Sequence, residues 1–565
     1  MNYKNIYLIA SVVLSVTVFY SCGYFDTDES YDYDKNGIFS SYTRSKQVVT
    51  HIYSYLPSDF CNTEGAMLDA ATDDAVHIYI NSKINRMTNG TWSPTNTVDD
   101  VWGHYYAGIR AANLYLSEAA NLKFLEWKHT DDYEDIMKNF ENYPNEIRFL
   151  RAYYYFELMR RYKNVPLVLN VLSKEEANKA EQATCQQLAD FIVKECSEIA
   201  EKLPVDYMGF KDKEHGRVTK GAALALKARV LLYMASPLYS PVNDEAKWKS
   251  AAEAAYAVIN PAAGLGYEIQ KGFRELYLHE NAGRKDIIMY RPDGETGNFE
   301  KANFPMGIEG GHTTTCPTQN LMEAFEMKLS DGKYHAFDWN DPACQKNPYE
   351  NRDPRMEKTI VHNGQQWLKA PMEIWEGGAN GLPIVNATVT GYYLAKYVNH
   401  NISFSAGSKT TKMSHNWVLF NYSEILLNYA EAMVNATHNP AYTDAELPLS
   451  AVAAVNMVRG REDVNMPAIA DDISEEDFIK LVKNERRVEL AFEGHRFWDV
   501  RRWKELDKTA DIYGVKVVKD AAGGFKYTKF LYEKRAVNDK MYFYPIPDGE
   551  IYNNSNLKQN ESWQN

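Results

Sequence analysis

Residues 484–504, NERRVELAFEGHRFWDVRRWK, constrain the fold most, because acidic residues there interrupt an apolar helical stripe. Apolar residues before and within this segment recur at three- and four-residue spacing, which predicts a helix that buries one face. Glu485, Glu489 and Glu493 follow one another at four-residue steps. Since a buried carboxylate is costly unless it is paired, the fold must bring basic partners to these positions.

The ends and the partners of this helix are also predicted. We expect Ser474 and Asp477 to form a capping box at its start, and Gly494 to end it. One interpretation is an ion-pair core that fixes how two helices meet, and the other is a pair of catalytic carboxylates. Many nearby arginines favour the ion-pair core, because matched acids stay ionised instead of transferring protons. The candidate partners are Arg486, Arg487, Arg496, Arg501 and Arg502.

Helical periodicity recurs along most of the chain. Small alanines such as Ala222 and Ala225 lie on one predicted helix, and aromatic residues lie on its neighbours. Helices that recur in such pairs predict a mainly α fold, an array of helical hairpins with irregular periods. The predicted helices cover residues 45–56, 99–121, 146–162, 186–203, 219–235, 246–259, 417–436 and 449–459.

The period breaks down between about residues 265 and 413. Gly, Pro, Asn and aromatic residues dominate there, which predicts a loop-rich insertion with small strands and short helices. The tail, residues 543–560, contains Phe-Tyr-Pro-Ile-Pro, and we expect no regular helix in it.

The first residues are typical of a targeting signal. An apolar run at residues 6–19 is short for a membrane span and ends at Cys22, which predicts a signal peptide and lipidation of Cys22. An uncleaved anchor helix is the alternative. Several Asp and Glu residues follow Cys22, as expected for a solvated tether. The other five cysteines have no paired spacing, so we expect them to be small buried thiols. A single disulfide between two of them is the alternative.

Composition and motifs exclude several classes of function. A formal net charge of -14 argues against a nucleic-acid partner, which requires a basic patch. The sequence contains no nucleotide-binding, zinc-protease or serine-hydrolase motif, its 13 histidines are scattered, and no cofactor is predicted. The neighbours Asp73 and Asp74 could form a glycosidase pair, but adjacent residues on a strand point to opposite faces. Calcium binding is left open.

The signature segment resembles that of the SusD/RagB family, the surface glycan-binding lipoproteins of Bacteroidetes. One departure is Lys163, where the family usually has Gly after Tyr. The resemblance spans nearly the whole mature chain and implies a tetratricopeptide-like superhelix, with specificity in variable loops. The matching motifs are Glu485-Arg486-Arg487, Glu489-Leu490, Glu493-Gly494-His495-Arg496, Trp498-Asp499 and Arg502-Trp503.

Together, the patterns and the resemblance divide the chain into six parts. They are a signal peptide (1–21), a lipidated acidic tether (22–44), an N-terminal helical part (45–264), the insertion (265–413), a C-terminal helical part with the signature (414–505) and a strap (506–565).

Ligand-binding candidates come from sugar chemistry. An aromatic ring covers the apolar face of a sugar, and Asn, Asp, Gln or Arg side chains bond its hydroxyls. Trp92 is the strongest candidate, with core packing as its alternative, and each of the others is more often structural. Two loop stretches offer this mixture, with Asn81, Arg86, Trp92 and Asn96 in the first, and Phe299, Phe304 and Trp339 in the second.

The resemblance implies a non-catalytic lipoprotein on the outer face of the outer membrane. It would bind oligosaccharides and deliver them to a TonB-dependent, SusC-like transporter. A binder of peptides or glycopeptides, as in the RagB branch, is an alternative with the same architecture. A glycoside hydrolase is a further alternative, although no motif in the sequence identifies the two catalytic carboxylates that such an enzyme requires.

Overall fold

The computed structural model describes residues 35–60, 62–119, 122–210, 214–278 and 281–564. The predicted signal peptide, Cys22 and tether residues 22–34 lie outside these residues. The described chain is 42% helical, with short strands, which confirms the mainly α prediction.

The helices are labelled in chain order. Those of the first half are α1 Lys35–Phe39, α2 Tyr42–Tyr53, α3 Lys83–Thr88, α4 Trp102–Glu118, α5 Tyr133–Tyr162, α6 Lys174–Ala177, α7 Cys185–Ala200, α8 Lys220–Ala235 and α9 Glu245–Ile259. Those of the second half are α10 Asn298–Asn303, α11 Gln319–Ala324, α12 Pro342–Lys346, α13 Arg355–Thr359, α14 Tyr422–Thr437, α15 Ala451–Arg459, α16 Glu475–Glu489, α17 His495–Arg502 and α18 Asp548–Asn553.

The strands form two-stranded antiparallel pairs. The pairs are β1 Ala75–His77 with β5 Thr315–Pro317, β2 Val165–Pro166 with β3 Gln182–Ala183, β4 Ile287–Thr296 with β12 Met413–Asn421, β6 Met327–Lys328 with β7 Tyr334–His335, β8 Ile360–Val361 with β11 Tyr393–Leu394, β9 Gln366–Trp367 with β10 Ala370–Pro371, and β13 Asp511–Lys519 with β14 Phe525–Lys534.

The long helices form one continuous array of packed neighbours. α4 packs on α5, α5 on α7, α7 on α8 and α8 on α9. α9 then packs on α14, which contacts α15 and α16, so the array continues across the insertion. The small side chains of α8, including Ala222 and Ala225, are fully buried and allow its neighbours to approach closely. This arrangement confirms the predicted tetratricopeptide-like architecture.

The two ends of the insertion are held together by β4 and β12. Their register runs from Ile287 opposite Asn421 to Thr296 opposite Met413. The predicted helix over residues 417–436 is therefore wrong in its first five residues, which belong to β12. Asn421 ends the strand and caps α14 by accepting a hydrogen bond from the backbone N–H of Glu424 at 2.7 Å.

The ends of other helices also differ from the prediction. α5 begins at Tyr133 and continues through Pro144, whereas its predicted start is residue 146. Ser474 caps α16 as predicted, but the capping box is incomplete, because the Asp477 carboxylate accepts from the Ser474 hydroxyl at 2.9 Å instead of from its backbone N–H. The helix ends at Glu489 instead of Gly494. The backbone turns at Phe492 and Gly494, which both have positive φ, and Gly494 then precedes α17.

The C-terminal part returns to the N-terminal helices. The hairpin β13–β14 was not predicted, and the short helix α18 lies in a tail where no regular helix was expected. The backbone N–H of Tyr544 donates to the carbonyl of Arg161 at 2.7 Å, and Asp548 donates to Pro94 at 3.1 Å. These contacts tie the end of the chain across α5.

One large hydrophobic cluster includes residues of both helical parts and of the insertion. Cys185, Cys196, Cys316 and Cys344 are buried free thiols, as expected, while Cys61 lies outside the described residues. No helix within the described ranges is long and apolar enough to cross a bilayer.

Candidate functional site

The glutamates of the signature helix form a buried ion-pair core. Glu485 contacts Arg355 at 2.5 Å and Arg459 at 3.0 Å. Glu489 contacts Arg355 at 2.9 Å and Arg461 at 2.6 Å. Burial raises the pKa of Glu489, but the two guanidinium groups outweigh burial and lower this pKa to about 2. The carboxylate stays ionised, which confirms the ion-pair interpretation.

Glu493 has a different environment. It accepts hydrogen bonds from Lys396 at 2.8 Å, from the Tyr277 hydroxyl at 2.6 Å and from the Asn421 side-chain amide at 2.7 Å. Burial raises the pKa of Glu493, and the Lys396 ammonium offsets this only in part. The carboxyl is enclosed by these three donors, so it does not face an open cleft.

The predicted partners of the glutamates are wrong. Within the described residues, the arginines of the signature pair elsewhere. Arg486 and Arg487 lie on α16 but not on the face of its glutamates, and the turn after α16 directs α17, with the other three arginines, toward other elements. Arg501 lies over the Phe497 ring, 3.4 Å from its centroid. The other contacts are Arg486 with Asp499 at 3.2 Å, Arg502 with Glu431 at 2.6 Å, Arg487 with Asp74 at 2.6 Å and Arg496 with Asp73 at 2.9 Å.

Asp73 and Asp74 are held by the same cation. Arg487 reaches Asp73 at 2.8 Å and Asp74 at 2.6 Å, so the expectation that the two carboxylates point to opposite faces is wrong. They lie just before β1, in a turn instead of a strand. Burial raises the pKa of Asp73, but Arg487 and Arg496 outweigh burial and lower this pKa to about 2. Asp73 is therefore an ion-pair anchor between β1 and α16–α17.

The structure places three predicted ligand-binding rings in the core. Trp92 is 1% exposed, and its ring lies 5.2 Å from that of Tyr544 and 5.0 Å from that of Trp563. Phe299 and Phe304 are equally buried. A buried aromatic ring has no free face on which a sugar could stack. The prediction that these three rings are exposed is therefore wrong, and they pack in the core.

The other four candidates lie in separate places. Arg86 donates to the Asn96 side-chain oxygen at 3.2 Å, so the structure brings these two together. Trp339 is half-buried against Phe337, with ring centroids 5.9 Å apart. Asn81 is exposed in the loop that follows β1. Ligand binding by these four residues stays a prediction.

Hydrogen bonds link three loops, the first of which contains the exposed Asn81. The backbone N–H of Ile78 donates to the carbonyl of Thr314, the residue that follows the second loop, at 3.1 Å, which places the first loop beside the end of the second. The side-chain amide of Asn380 donates to the carbonyl of Met306 at 2.7 Å, which joins the third loop to the second. We call this region the loop surface, comprising residues 77–82, 305–313 and 379–386.

The loop surface carries apolar side chains that face solvent. Single exposed apolar residues are common on protein surfaces, but a group of them on loops that hydrogen bonds link is a candidate for a binding surface. The same loops also carry exposed polar side chains, those of Asn81, Glu309 and His312. The apolar residues and their exposed fractions are Tyr79 41%, Ile80 73%, Leu382 46% and Val385 77%.

Sequence reasoning missed these four residues because they lie in short runs that resemble strand ends or core positions. The only available signal was their position among Asn, Gly and Pro residues, as in Gly381-Leu382-Pro383. Within the described residues, no group of three or more His, Cys, Asp or Glu side chains could hold a metal ion.

Two family models match separate parts of the chain. The model described as "SusD family" matches residues 282–563. The model described as "Starch-binding associating with outer membrane" matches residues 24–232. The two matches cover most of both helical parts and of the insertion, leaving out residues 233–281, and the chain belongs to the SusD/RagB family.

Individual proteins are similar over most of their length. SusD-like protein P2 of Formosa agariphila is 22% identical over 495 residues, which is 85% of this chain and 82% of that protein. The starch-binding protein SusD of Bacteroides thetaiotaomicron is 24% identical over 520 residues, 86% of this chain and 82% of that protein. The crystal structure of a SusD-like carbohydrate-binding protein from Bacteroides fragilis matches with a TM-score of 0.75 and 25% identity, over 92% of this chain and 100% of that one.

Proposed function

We propose that this protein is a lipid-anchored binder of oligosaccharides on the outer face of the outer membrane. In this proposal it binds glycans without chemical change and delivers them to a TonB-dependent, SusC-like transporter. The observation that carries the proposal is family membership across both parts of the chain, including the part described as starch-binding and associated with the outer membrane. The relatives named for starch and for carbohydrate binding support the ligand class.

The loop surface is the proposed glycan site. The Tyr79 ring offers an apolar face for the C–H groups of a sugar, and Ile80 and Val385 extend this face. Asn81, Glu309 and His312 supply donors and acceptors for hydroxyl groups. Arg86 and Asn96 are a further proposed contact, because their hydrogen bond holds both side chains in a fixed orientation at 3.2 Å.

The electrostatics of the signature support a non-catalytic role. Glycoside hydrolysis requires two carboxyl groups, one with a raised pKa, on either side of an accessible bond. Glu485 and Glu489 are instead buried between three arginines, and Asp73 and Asp74 share Arg487. These acids support the scaffold that holds the loops.

The test is affinity electrophoresis and isothermal titration against a panel of oligosaccharides, with the Tyr79→Ala variant. We expect binding without release of reducing sugar, and an affinity about tenfold weaker in Tyr79→Ala, since truncating an aromatic anchor costs more than about 1 kcal/mol. Tyr552→Ala is the matched control, because Tyr552 is a tyrosine that is 92% exposed but lies outside the loop surface.

Three outcomes would contradict the proposal. Tight binding of peptides with no glycan binding would favour a RagB-like peptide binder. Release of reducing sugar that is abolished by one Asp or Glu substitution would indicate a hydrolase. Equal affinities of Tyr79→Ala, Tyr552→Ala and the unchanged protein would exclude the loop surface. The transporter partner is tested separately, by co-purification from outer membranes with an affinity tag on this chain.

A further inference from the structure

Exposed apolar side chains also lie at the N-terminal end of α5, outside the loop surface. The loop between α4 and α5 carries Leu125 and Trp127, whose exposed fractions are 62% and 36%. The segment between α7 and α8 carries Met208, which is 58% exposed. Since single exposed apolar residues are common on protein surfaces, these three indicate a binding surface only if they lie close together.

The first two turns of α5 hold both segments in place. The Tyr133 hydroxyl donates to the carbonyl of Lys123 at 2.9 Å, which fixes the loop before α5. The Lys138 ammonium donates to the carbonyl of Gly209 at 3.3 Å, which fixes the segment that contains Met208. These two contacts are about 8 Å apart along the helix axis, so the segments are neighbours. We call the following exposed residues the α5 patch: Lys123, Leu125, Trp127, Lys128 and Met208.

A buried neighbour holds the exposed part of the loop in its orientation. Phe124 is 5% exposed, and its ring lies 4.7 Å from that of Phe140 and 5.7 Å from that of Tyr42. Its φ of +40° is unusual for a residue with a side chain and persists only where packing holds it. The turn Leu125–Trp127 follows directly, so its two apolar side chains stay exposed while Phe124 anchors the backbone.

The N-terminal end of the described chain lies beside the same loop. Lys35 forms an ion pair with Glu118 at the end of α4, and the Tyr42 ring of α2 contacts Phe124. Lys35 follows Cys22 by 13 positions in the sequence, a length of chain that spans at most about 45 Å. A lipid on Cys22 would therefore hold this end of the molecule within that distance of the bilayer.

The charges at the α5 patch select no net charge in a partner. Lys123 and Lys128 are exposed on either side of the two apolar residues of the loop. Asp131 and Asp132 follow closely and are exposed as well, so two carboxylates offset the two ammonium groups. Burial of apolar surface, and not charge attraction, would drive binding here. The lysine stems can add to the apolar area while their ammonium groups stay in water.

We propose that the α5 patch inserts into the interfacial zone of the lipid bilayer that holds Cys22. Trp127 suits this zone, because an indole combines an apolar ring with a polar N–H group. Leu125 and Met208 add apolar area beside it. The inference rests on the lipid anchor of the proposed function and adds a second attachment, which stable membrane anchoring generally requires. This contact fixes the orientation of the protein on the membrane.

The experiment is hydroxyl-radical footprinting, read by mass spectrometry, on protein attached to phosphatidylcholine vesicles. A histidine tag in place of Cys22 and a nickel-chelating lipid supply the attachment, so the result does not depend on lipidation of Cys22. The variant is Leu125→Asp. Leu531→Asp is the matched control, because Leu531 is 44% exposed on β14, outside the α5 patch. Tyr552, which is 92% exposed, is the internal reference for oxidation.

We expect Trp127 and Met208 to be oxidised about threefold more slowly on vesicles than in solution, since insertion covers their exposed area, and Tyr552 to be oxidised equally. Leu531→Asp should keep the protection of Trp127, and Leu125→Asp should lose it, with equal thermal unfolding of the two variants. The protection should not change with salt, because charge attraction does not drive the binding.

Equal oxidation of Trp127 on vesicles and in solution, or equal protection in the two variants, would overturn the proposal. Protection that appears in concentrated protein without vesicles would also overturn it, in favour of a contact between two copies of this chain. Absence of fatty acid on Cys22 in the natural protein, measured separately, would contradict the anchor of the proposed function, whereas the footprinting decides the α5 patch.

Discussion

Replacing Glu489 by Gln should destabilise the protein far more than the same change elsewhere on α16. Glu489 is fully buried and forms ion pairs with Arg355 at 2.9 Å and with Arg461 at 2.6 Å. Glutamine keeps the shape of the side chain but removes its charge. Two guanidinium groups then remain in the interior with one fewer carboxylate between them, which is costly.

The magnitude follows from the pKa of Glu489. Its ordinary value of 4.5 falls to about 2 in the folded protein. At about 1.36 kcal/mol for each pKa unit, this difference corresponds to about 3 kcal/mol of stabilisation of the ionised form. Breaking a buried ion pair typically costs about 3–5 kcal/mol, so both approaches predict a loss of about 3 kcal/mol.

The assay is urea unfolding at neutral pH, followed by circular dichroism. The control is Glu476→Gln on the same helix, because the Glu476 side chain is 81% exposed and, among the described residues, forms an ion pair with Lys480 alone, at 2.7 Å. An exposed pair of this kind contributes about 0–1 kcal/mol, so the control should unfold like the unchanged protein. Equal unfolding midpoints for Glu489→Gln and Glu476→Gln would refute the ion-pair reasoning.

The pH dependence gives a second check on the same residue. Because the folded pKa of Glu489 lies below its unfolded value, its contribution to the free energy of unfolding is complete above pH 4.5. The contribution declines as the pH falls from 4.5 toward about 2. The difference in stability between the unchanged protein and Glu489→Gln should therefore be constant from pH 8 to 5 and shrink at lower pH. A difference that grows on acidification would contradict the assignment.

Three further predictions concern other parts of the chain. Lys163 has φ +66° and ψ −72° in a tight turn, where the N–H of Asn164 donates to the carbonyl of Tyr162 at 2.8 Å, so Lys163→Gly should raise stability by about 1 kcal/mol in thermal unfolding. Ala225 is fully buried on α8, so Ala225→Leu should cost about 1–3 kcal/mol by overpacking, with no change in helix content by circular dichroism. Cys22→Ala should abolish incorporation of labelled fatty acid and release the protein from the membrane fraction, and continued labelling would refute the predicted anchor.

The ion-pair core illustrates what local sequence can specify. Four-residue spacing places Glu485, Glu489 and Glu493 on a face that is otherwise apolar, so the need for basic partners followed from burial alone. The identity of these partners did not follow. Arg355 lies 130 residues before Glu485 in the chain, and only the packing of α13 on α16 brings the two together.

Strand β12 illustrates the opposite case. Residues 417–421 continue the apolar period of α14, so local spacing assigned them to that helix. Pairing with β4, more than a hundred residues earlier, satisfies their backbone N–H and C=O groups in another way. Trp92 was misassigned for a similar reason. An indole ring can pack in a core or stack on a sugar, and the residues that bury this one, Tyr544 and Trp563, lie far away in the chain.

By itself, the sequence determined the helices, the buried character of the signature and the family, because each depends on residues close together in the chain. Tertiary structure alone decided which cations neutralise the core, which aromatic rings are enclosed and which loops meet at the exposed surface. The physical reason is that helix periodicity arises from contacts three or four residues apart, whereas burial and exposure depend on what distant segments cover.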